Sequence, residues 1–339
     1  MENFEDFENK SYVPAREVRY TLTDHLVFIK NFLIVVLKVA LKLVTEIAEI
    51  VIELFKPKKP KNISGQLALI TGGANGLGRA IAFRLAQEKC NIVIVDVNIK
   101  EAHATASEIA EKFKVKTRAY KVDVSDYDAI QQLKNDVEND FGSVDILVNN
   151  AGILSKISLR EGRAADVQKV INVNLTSHFW TVRTFIEKMI ENRRGHIVAI
   201  SSLGGKIAFP LACAYCATKF GVRGFMEALY DELCVDNYET FIKTTCVFPA
   251  FVNTRKELSD VLDQTKELGP RMSPRYAANK IVEGMLLDKR DITLPSGAKL
   301  LQIVGFFPDK TMKYTKTNIT PVSHLQRAER KPENFNKTD

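Results

Sequence analysis

The segment "LALITGGANGLGRAIAFRLAQ", residues 67–87, constrains the fold of this chain more than any other. Leu67 to Ile70 is an apolar run that reads as a buried strand; Thr71, Gly72, Gly73, Asn75, Gly76 and Gly78 follow as a tight turn. Ala80 to Ala86 then carries apolar residues at helical spacing. Strand, glycine turn and helix in that order form a phosphate cradle. Glycine lets the backbone close on a pyrophosphate, and the helix N-terminus attracts its charge. The spacing here is T-G-x-x-x-G-x-G, with Leu77 between the last two glycines.

The chain then alternates. Strands are expected at 67–71, 92–96, 118–122, 145–149, 196–201, 243–248 and 291–294, with helices near 77–88, 100–113, 126–141, 165–192, 213–236 and 274–288. Alternation of this kind predicts an α/β fold with a doubly wound parallel sheet. The chain has 339 residues, 45% of them apolar and 26% charged, which is enough for one large domain with extensions.

Candidate chemistry lies at the expected carboxyl edge of that sheet, where open α/β sheets bind ligands. "NIVIVDVN" ends a second strand at Asp96, an acid placed to accept hydrogen bonds from ribose hydroxyls and to repel a 2′-phosphate; capping the next turn is its structural alternative. Asn75, not a basic residue, precedes Gly76, so the pattern favours NAD over NADP. Ser202 closes the apolar strand "HIVAISS", and strand alternation points its neighbour Ser201 to the opposite face. Tyr215 and Lys219 are four apart in a helical stretch, so they share a face one turn apart. A cation beside a phenol stabilises phenolate, which predicts that Lys219 lowers the Tyr215 pKa towards that of a working base. Ser202 would donate to the substrate oxygen.

With T-G-G-A-N-G-L-G at 71–78, Asp123-Val124, N-N-A-G at 149–152, Asn174, Ser202, Tyr215 and Lys219, the chain resembles the short-chain dehydrogenases/reductases over roughly residues 64–300. "PAFVNT" at 249–254 stands where that family has P-G-x-V-x-T; Ala250 replaces the glycine, and Val252 and Thr254 are kept. The resemblance is to the membrane-associated subgroup of epidermal retinol dehydrogenases and 17-beta-hydroxysteroid dehydrogenases. It implies a Rossmann-type sheet, with Asn174, Ser202, Tyr215 and Lys219 as the catalytic set. The implied cofactor contacts are Gly72, Asn75, Gly76, Leu77, Gly78, Asp96, Asp123, Val124, Asn150, Gly152, Tyr215, Lys219, Val252 and Thr254. In such a site Tyr215 is the acid–base group and Lys219 holds the nicotinamide ribose. Asn174 joins Lys219 in a water-mediated proton relay, Asp123 meets the adenine amine, and Asn150 lies near the adenosine. Capping for Asp123 and a structural role for Asn150 are the alternatives. The resemblance also implies a homodimer paired through the helices at 165–192 and 213–236.

Residues 1–25 are polar, and 26–55 form a long apolar segment interrupted by Lys30, Lys38, Lys42, Glu46, Glu49 and Glu53. On a helix the five from Lys38 to Glu53 fall within one arc roughly 80° wide. One narrow charged stripe on a broad apolar cylinder suits a helix lying in a membrane interface; a straight span would bury the charges, and a core helix is the soluble alternative. "KPKKPKN" to residue 63 is a basic linker whose Lys56, Lys58, Lys59 and Lys61 suit anionic headgroups and the cytosolic side. The domain follows at 64–300, and 301–339 is an extension with an apolar patch ("LLQIVGFFPDK") and a basic tail. Residues 255–273 interrupt the alternation and suit a substrate lid.

The net charge of +7 carries no interleaved aromatic-basic pattern, so nucleic acid is not an expected partner. Five cysteines show no metal spacing; Cys213 and Cys216 are expected to pack, and a reducing compartment follows. No metal is expected, and His178 and His196 receive no role. The function expected is a membrane-associated NAD-dependent oxidoreductase for a lipophilic alcohol or carbonyl, such as retinol, a hydroxysteroid or a fatty alcohol. Its expected place is the endoplasmic reticulum membrane or lipid droplet, with the domain facing the cytosol. The alternatives are an NADPH-dependent ketone reductase of lipid synthesis and a lipid-droplet scaffold.

Overall fold

The computed structural model describes residues 21–55, 59–154, 163–208, 212–254 and 271–300. Two compact units divide the chain, 1–59 and 60–339.

In the first unit, helix α1 runs over Leu22–Phe55, 34 residues and about 50 Å at ~1.5 Å per residue. It starts four residues before the expected 26. Thr21 explains the earlier start: its hydroxyl accepts from the Asp24 amide (3.2 Å), and Asp24 Oδ2 accepts from the Thr21 amide (2.8 Å). This reciprocal capping satisfies amides that would otherwise be orphaned at the helix start. Lys42 and Glu46 pair at 3.8 Å along the charged stripe. Large apolar side chains from Leu22 to Val51 are exposed. Among the described residues no helix is long and apolar enough to cross a membrane.

The second unit is a seven-stranded parallel sheet in the order β3-β2-β1-β4-β5-β6-β7. Its strands are β1 Leu67–Thr71, β2 Asn91–Asp96, β3 Thr117–Lys121, β4 Ile146–Asn149, β5 Gly195–Ile200, β6 Ile242–Pro249 and β7 Asp291–Leu294. Each lies within a residue of its expected ends. The helices between them are α2 Gly76–Gln87, α3 Ile99–Phe113, α4 Tyr127–Phe141, α5 Ala164–Ile171, α6 Ser177–Glu191, α7 Cys213–Val235 and α8 Pro274–Leu286. Alternation sorts the strand side chains into two cores. Ala68 and Ile70 of β1 pack with Ile81 and Leu85 of α2, Ile109 of α3 and Ile281 of α8. Leu67 and Leu69 pack on the other face with Ile130 and Leu133 of α4, Phe185 of α6 and Val222 of α7. Helices packed on both faces make this the doubly wound Rossmann-type sheet, and the strand order reverses between β1 and β4.

Two departures from expectation matter for the site. The single helix expected over 165–192 is broken: Asn172–Thr176 is a π-helical turn between α5 and α6. The basic linker also loses one of its lysines to the domain. Lys61 Nζ donates to Asp288 Oδ1 (2.7 Å) and to His196 Nδ1 (2.6 Å), and its amide donates to the Leu286 carbonyl (2.9 Å). Lys61 therefore fixes the domain edge, and its ammonium is not free for headgroups.

Candidate active site

The site residues arrive at one edge because parallel strands all deliver their carboxyl ends to the same side. Gly76 sits in the left-handed region (φ 56°), and a side chain there would press to 3.0 Å on Thr254 Cβ, so the turn after β1 and the loop after β6 are in contact. A Cβ on Gly78 would collide with the Gly72 carbonyl oxygen and the Asn150 amide. Asn150 Nδ2 donates to the Thr71 and Gly72 carbonyls, both at 3.0 Å, and its own amide donates to Thr71 Oγ1 at 3.0 Å. Its side chain is thus committed to the turn, which is the structural alternative raised for it above. Leu77 and Val252 are buried beside the turn, and Val252 bridges to Met272. The result is a rigid cradle of bare backbone, which fits the approach of a pyrophosphate.

Asp96 ends β2 with Oδ2 accepting from the Ala74 amide (3.1 Å) and Oδ1 from the Asn98 amide (3.0 Å). It caps and also places its charge at the turn. Asp123 is exposed after β3, where Oδ1 accepts from the amide (2.9 Å) and hydroxyl (2.7 Å) of Ser125; Val124 is buried beside it. Behind the turn, Thr105 of α3 donates to the Ala74 carbonyl (2.8 Å), and Asn75 Nδ2 donates to Glu101.

At the other end of the cleft, β4, β5, the π-turn and α7 converge. Asn174 is fully buried within the π-turn; its Oδ1 accepts from the Ile153 amide (2.8 Å) and its Nδ2 donates to the Ile153 carbonyl (2.9 Å). A Cβ placed on Gly152 would lie 3.5 Å from Asn174 Oδ1 and 3.7 Å from Lys219 Nζ, so the three meet with nothing bulky between them. Lys219 is buried, and Nζ donates to the Ile200 carbonyl at 2.9 Å. Ser201 and Ser202 diverge as alternation requires: buried Ser201 donates to the Lys219 carbonyl (2.8 Å), while Ser202 Oγ accepts from the Gly204 amide (3.0 Å) and is hydrogen-bonded to Tyr215.

The electrostatics correct one expectation. Burial raises the Tyr215 phenol above its ordinary pKa, with only the Ser202 hydrogen bond pulling it down; Lys219 makes no resolved contribution. The geometry explains this. Lys219 Nζ is 5.8 Å from the Tyr215 ring centre and bound to a carbonyl, and burial pulls its own pKa down to about 8. Loss of water around each group outweighs their mutual attraction.

Sequence reasoning missed three features here: the π-turn, the Asn174–Ile153 clamp and the α3 contacts to the turn. His178, which received no role from the sequence, lies buried one turn after Asn174, near Phe225, with both ring nitrogens lacking partners among the described residues. Burial, and then the Lys219 charge, depress its pKa to about 3. Cys216 packs as expected, but Cys213 is exposed. No group of His, Cys, Asp and Glu side chains among the described residues could hold a metal. The expected lid falls largely at 255–270 and the apolar patch at 300–310 almost wholly beyond 300, outside the described residues.

The sequence pattern of the short chain dehydrogenases matches residues 66–264. This chain belongs to that family. Short-chain dehydrogenases are oxidoreductases, and the chain's relatives agree with that. Estradiol 17-beta-dehydrogenase 11 of Macaca fascicularis is 34% identical over 269 residues, covering 79% of this chain and 88% of the relative. Human 17-beta-hydroxysteroid dehydrogenase 13 is 30% identical over 281 residues, covering 83% and 92%. Among solved structures, a short-chain dehydrogenase/reductase from Burkholderia phymatum in complex with NAD superposes with a TM-score of 0.66 at 25% identity, over 72% of this chain and 94% of that one. A metagenomic short-chain oxidoreductase in complex with NADP gives 0.57 at 28% identity, over 69% and 96%.

Proposed function

We propose that this short-chain dehydrogenase exchanges hydride between NAD and a lipophilic alcohol or its carbonyl, at a membrane or lipid-droplet surface. The observation that carries the proposal is the convergence of Asn174, Ser202, Tyr215 and Lys219 at the carboxyl edge, next to a bare glycine cradle.

Gly72, Asn75, Gly76, Leu77 and Gly78 would hold the pyrophosphate, with Asp96, Asp123 and Val124 around the adenosine half, Asn150 bracing the turn, and Gly152 leaving room for the cofactor beside Asn174 and Lys219. Val252 and Thr254 would close over the nicotinamide half. The nicotinamide supplies the hydride chemistry. Everything else falls to side chains. Ser202 orients the substrate oxygen and donates to it as charge develops. Tyr215 takes the alcohol proton during oxidation and returns it during reduction. Its raised pKa keeps the phenol protonated, so the proton is in place for reduction, and the Ser202 hydrogen bond eases formation of the phenolate. Lys219 supports the ribose, and Asn174, clamped on Ile153, holds the π-turn against Lys219 as part of a proton relay.

NAD is preferred because Asp96 puts an acid where a 2′-phosphate would sit. A lipophilic substrate is supported by the steroid named in the relatives. The surface is supported by α1, with its exposed apolar side chains and single charged stripe, which suit an interfacial helix. The endoplasmic reticulum or lipid droplet is the site inferred, with the domain on the cytosolic side. A homodimer through α6 and α7 is supported by Phe179 and Phe220, large apolar residues that those helices leave exposed.

The decisive experiment is a turnover panel with the purified full chain, NAD or NADP, and retinoid, steroid and fatty alcohols, read as formation of reduced nicotinamide. NAD-dependent turnover of at least one class supports the proposal. Turnover with NADP only, or none with any lipophilic alcohol or the matching carbonyls, overturns it. Replacing Lys38, Lys42 and Lys59 with Gln should weaken liposome binding and its salt dependence, at about 1 kcal/mol per lysine near an anionic surface. Unchanged binding would remove these lysines from the surface contact.

A further inference from the structure

The face that α3 turns to the glycine cradle is unusually acidic. Glu101, Thr105 and Glu108 follow one another at the spacing that places them on one side of the helix. Each reaches the turn or the first residues of α2. Glu101 accepts from Asn75, Thr105 donates to the Ala74 carbonyl, and Glu108 pairs with Arg79. Arg79 is the basic residue of α2's first turn; it is engaged by Glu108 and by the Phe83 ring, whose centre lies 4.5 Å from its guanidinium carbon.

The two glutamates differ in one respect. Glu108 is neutralised by a guanidinium. Glu101 meets the uncharged amide of Asn75 and no cation among the described residues, so its charge stands unopposed beside the turn. Asn75 occupies the position just before Gly76, and the Asp96 carboxylate binds the amide of its neighbour Ala74. The two carboxylates thus each bind one of two adjacent residues of the cradle.

We propose that Glu101, held against the cradle by Asn75, is a second determinant of cofactor choice: with Asp96 it rejects the 2′-phosphate of NADP. This rests on the reading of the cradle as an NAD site. The mechanism is charge repulsion, so Asn75 acts as a positioning residue that keeps the carboxylate in place.

The test measures dissociation constants of NADH and NADPH for the full chain by nicotinamide fluorescence. Wild type is compared with Glu101→Gln, Asp96→Asn and the double variant, at low and high salt. Glutamine keeps an oxygen for the Asn75 amide and removes the charge. Glu101→Gln should improve NADPH binding relative to NADH by about fivefold, and the double variant should improve it further. Because the charge is exposed, wild-type discrimination against NADPH should shrink as salt rises, and shrink less in Glu101→Gln. If Asp96→Asn shifts the preference and Glu101→Gln does not, the Glu101 proposal falls while the NAD reading stands. If wild type binds NADPH more tightly than NADH, both fall.

Discussion

The two ends of the cleft are built from different materials. The nucleotide end is backbone: glycines pressed against carbonyls, tied by Asn150 and Thr105, with exposed or half-exposed acids at its margin. The catalytic end is side chain: Asn174, His178 and Lys219 are buried, and the ionisable groups there are pushed off their ordinary values by loss of water. A backbone site tolerates changes of charge but not of volume. A buried polar site tolerates neither the loss of a proton-carrying group nor an unpaired charge.

Four changes would break or sharpen that contrast. The largest effect belongs to Tyr215→Phe, which removes the proton carrier and keeps the ring. Turnover should fall by about a hundredfold or more, with NADH affinity largely retained; near wild-type turnover in steady-state kinetics would remove Tyr215 from the mechanism. Next comes Gly78→Ala, one methyl against the Gly72 carbonyl and the Asn150 amide. Overpacking of this kind costs about 1–3 kcal/mol, and here it should appear as weaker NADH binding together with a lower melting temperature. An alanine variant with wild-type affinity would mean the cradle is looser than these contacts imply.

The third change uses pH. His178 titrates near 6.5 when unfolded and at about 3 when folded. Between those values the unfolded state binds a proton that the native state refuses. The contribution is therefore intact above the unfolded value and is lost as pH falls through the window towards 3. From about pH 7 to about pH 5 this costs roughly 2 kcal/mol of stability, which His178→Leu should abolish in denaturant melts. His196, also pushed well below its ordinary value by burial, adds a parallel loss that the variant keeps. An identical pH dependence in both proteins would show that His178 is protonated in the fold. The smallest effect is expected at the nucleotide margin: Asp96→Ala should shift kcat/KM towards NADP by about tenfold, or ~1.4 kcal/mol. No shift would detach Asp96 from cofactor choice.

The same contrast explains what could be read from the sequence. The sheet and its helices follow from local periodicity, and the cradle from a local spacing between residues 71 and 78, so both were legible. Asn174, Ser202, Tyr215 and Lys219 could be nominated, but their electrical state could not. Whether Lys219 lowers the Tyr215 pKa depends on competing burial of both groups, and burial is a property of the folded whole. The Asn150 amide, the Glu101 contact and the Asn174–Ile153 clamp are long-range pairings that no local pattern announces. Thr21 and Asp24 did carry a local signal, a capping pair ahead of an apolar run, and it places the start of α1 before the expected residue 26. The break at Asn172–Thr176 left no mark, because the apolar pattern of 165–192 runs through it.

That break has a consequence for how this stretch can change. A π-turn holds one residue more than an α-turn, so the helix beyond it is rotated by roughly 100° relative to an uninterrupted α-helix. α5 and α6 are therefore two gears meshed with a deliberate offset of one tooth. Substitution leaves the offset alone, but a one-residue deletion anywhere in 172–176 would restore a smooth helix and swing every side chain on one flank out of alignment. The geometry therefore fixes the length of this segment as firmly as Asn174 fixes one of its residues.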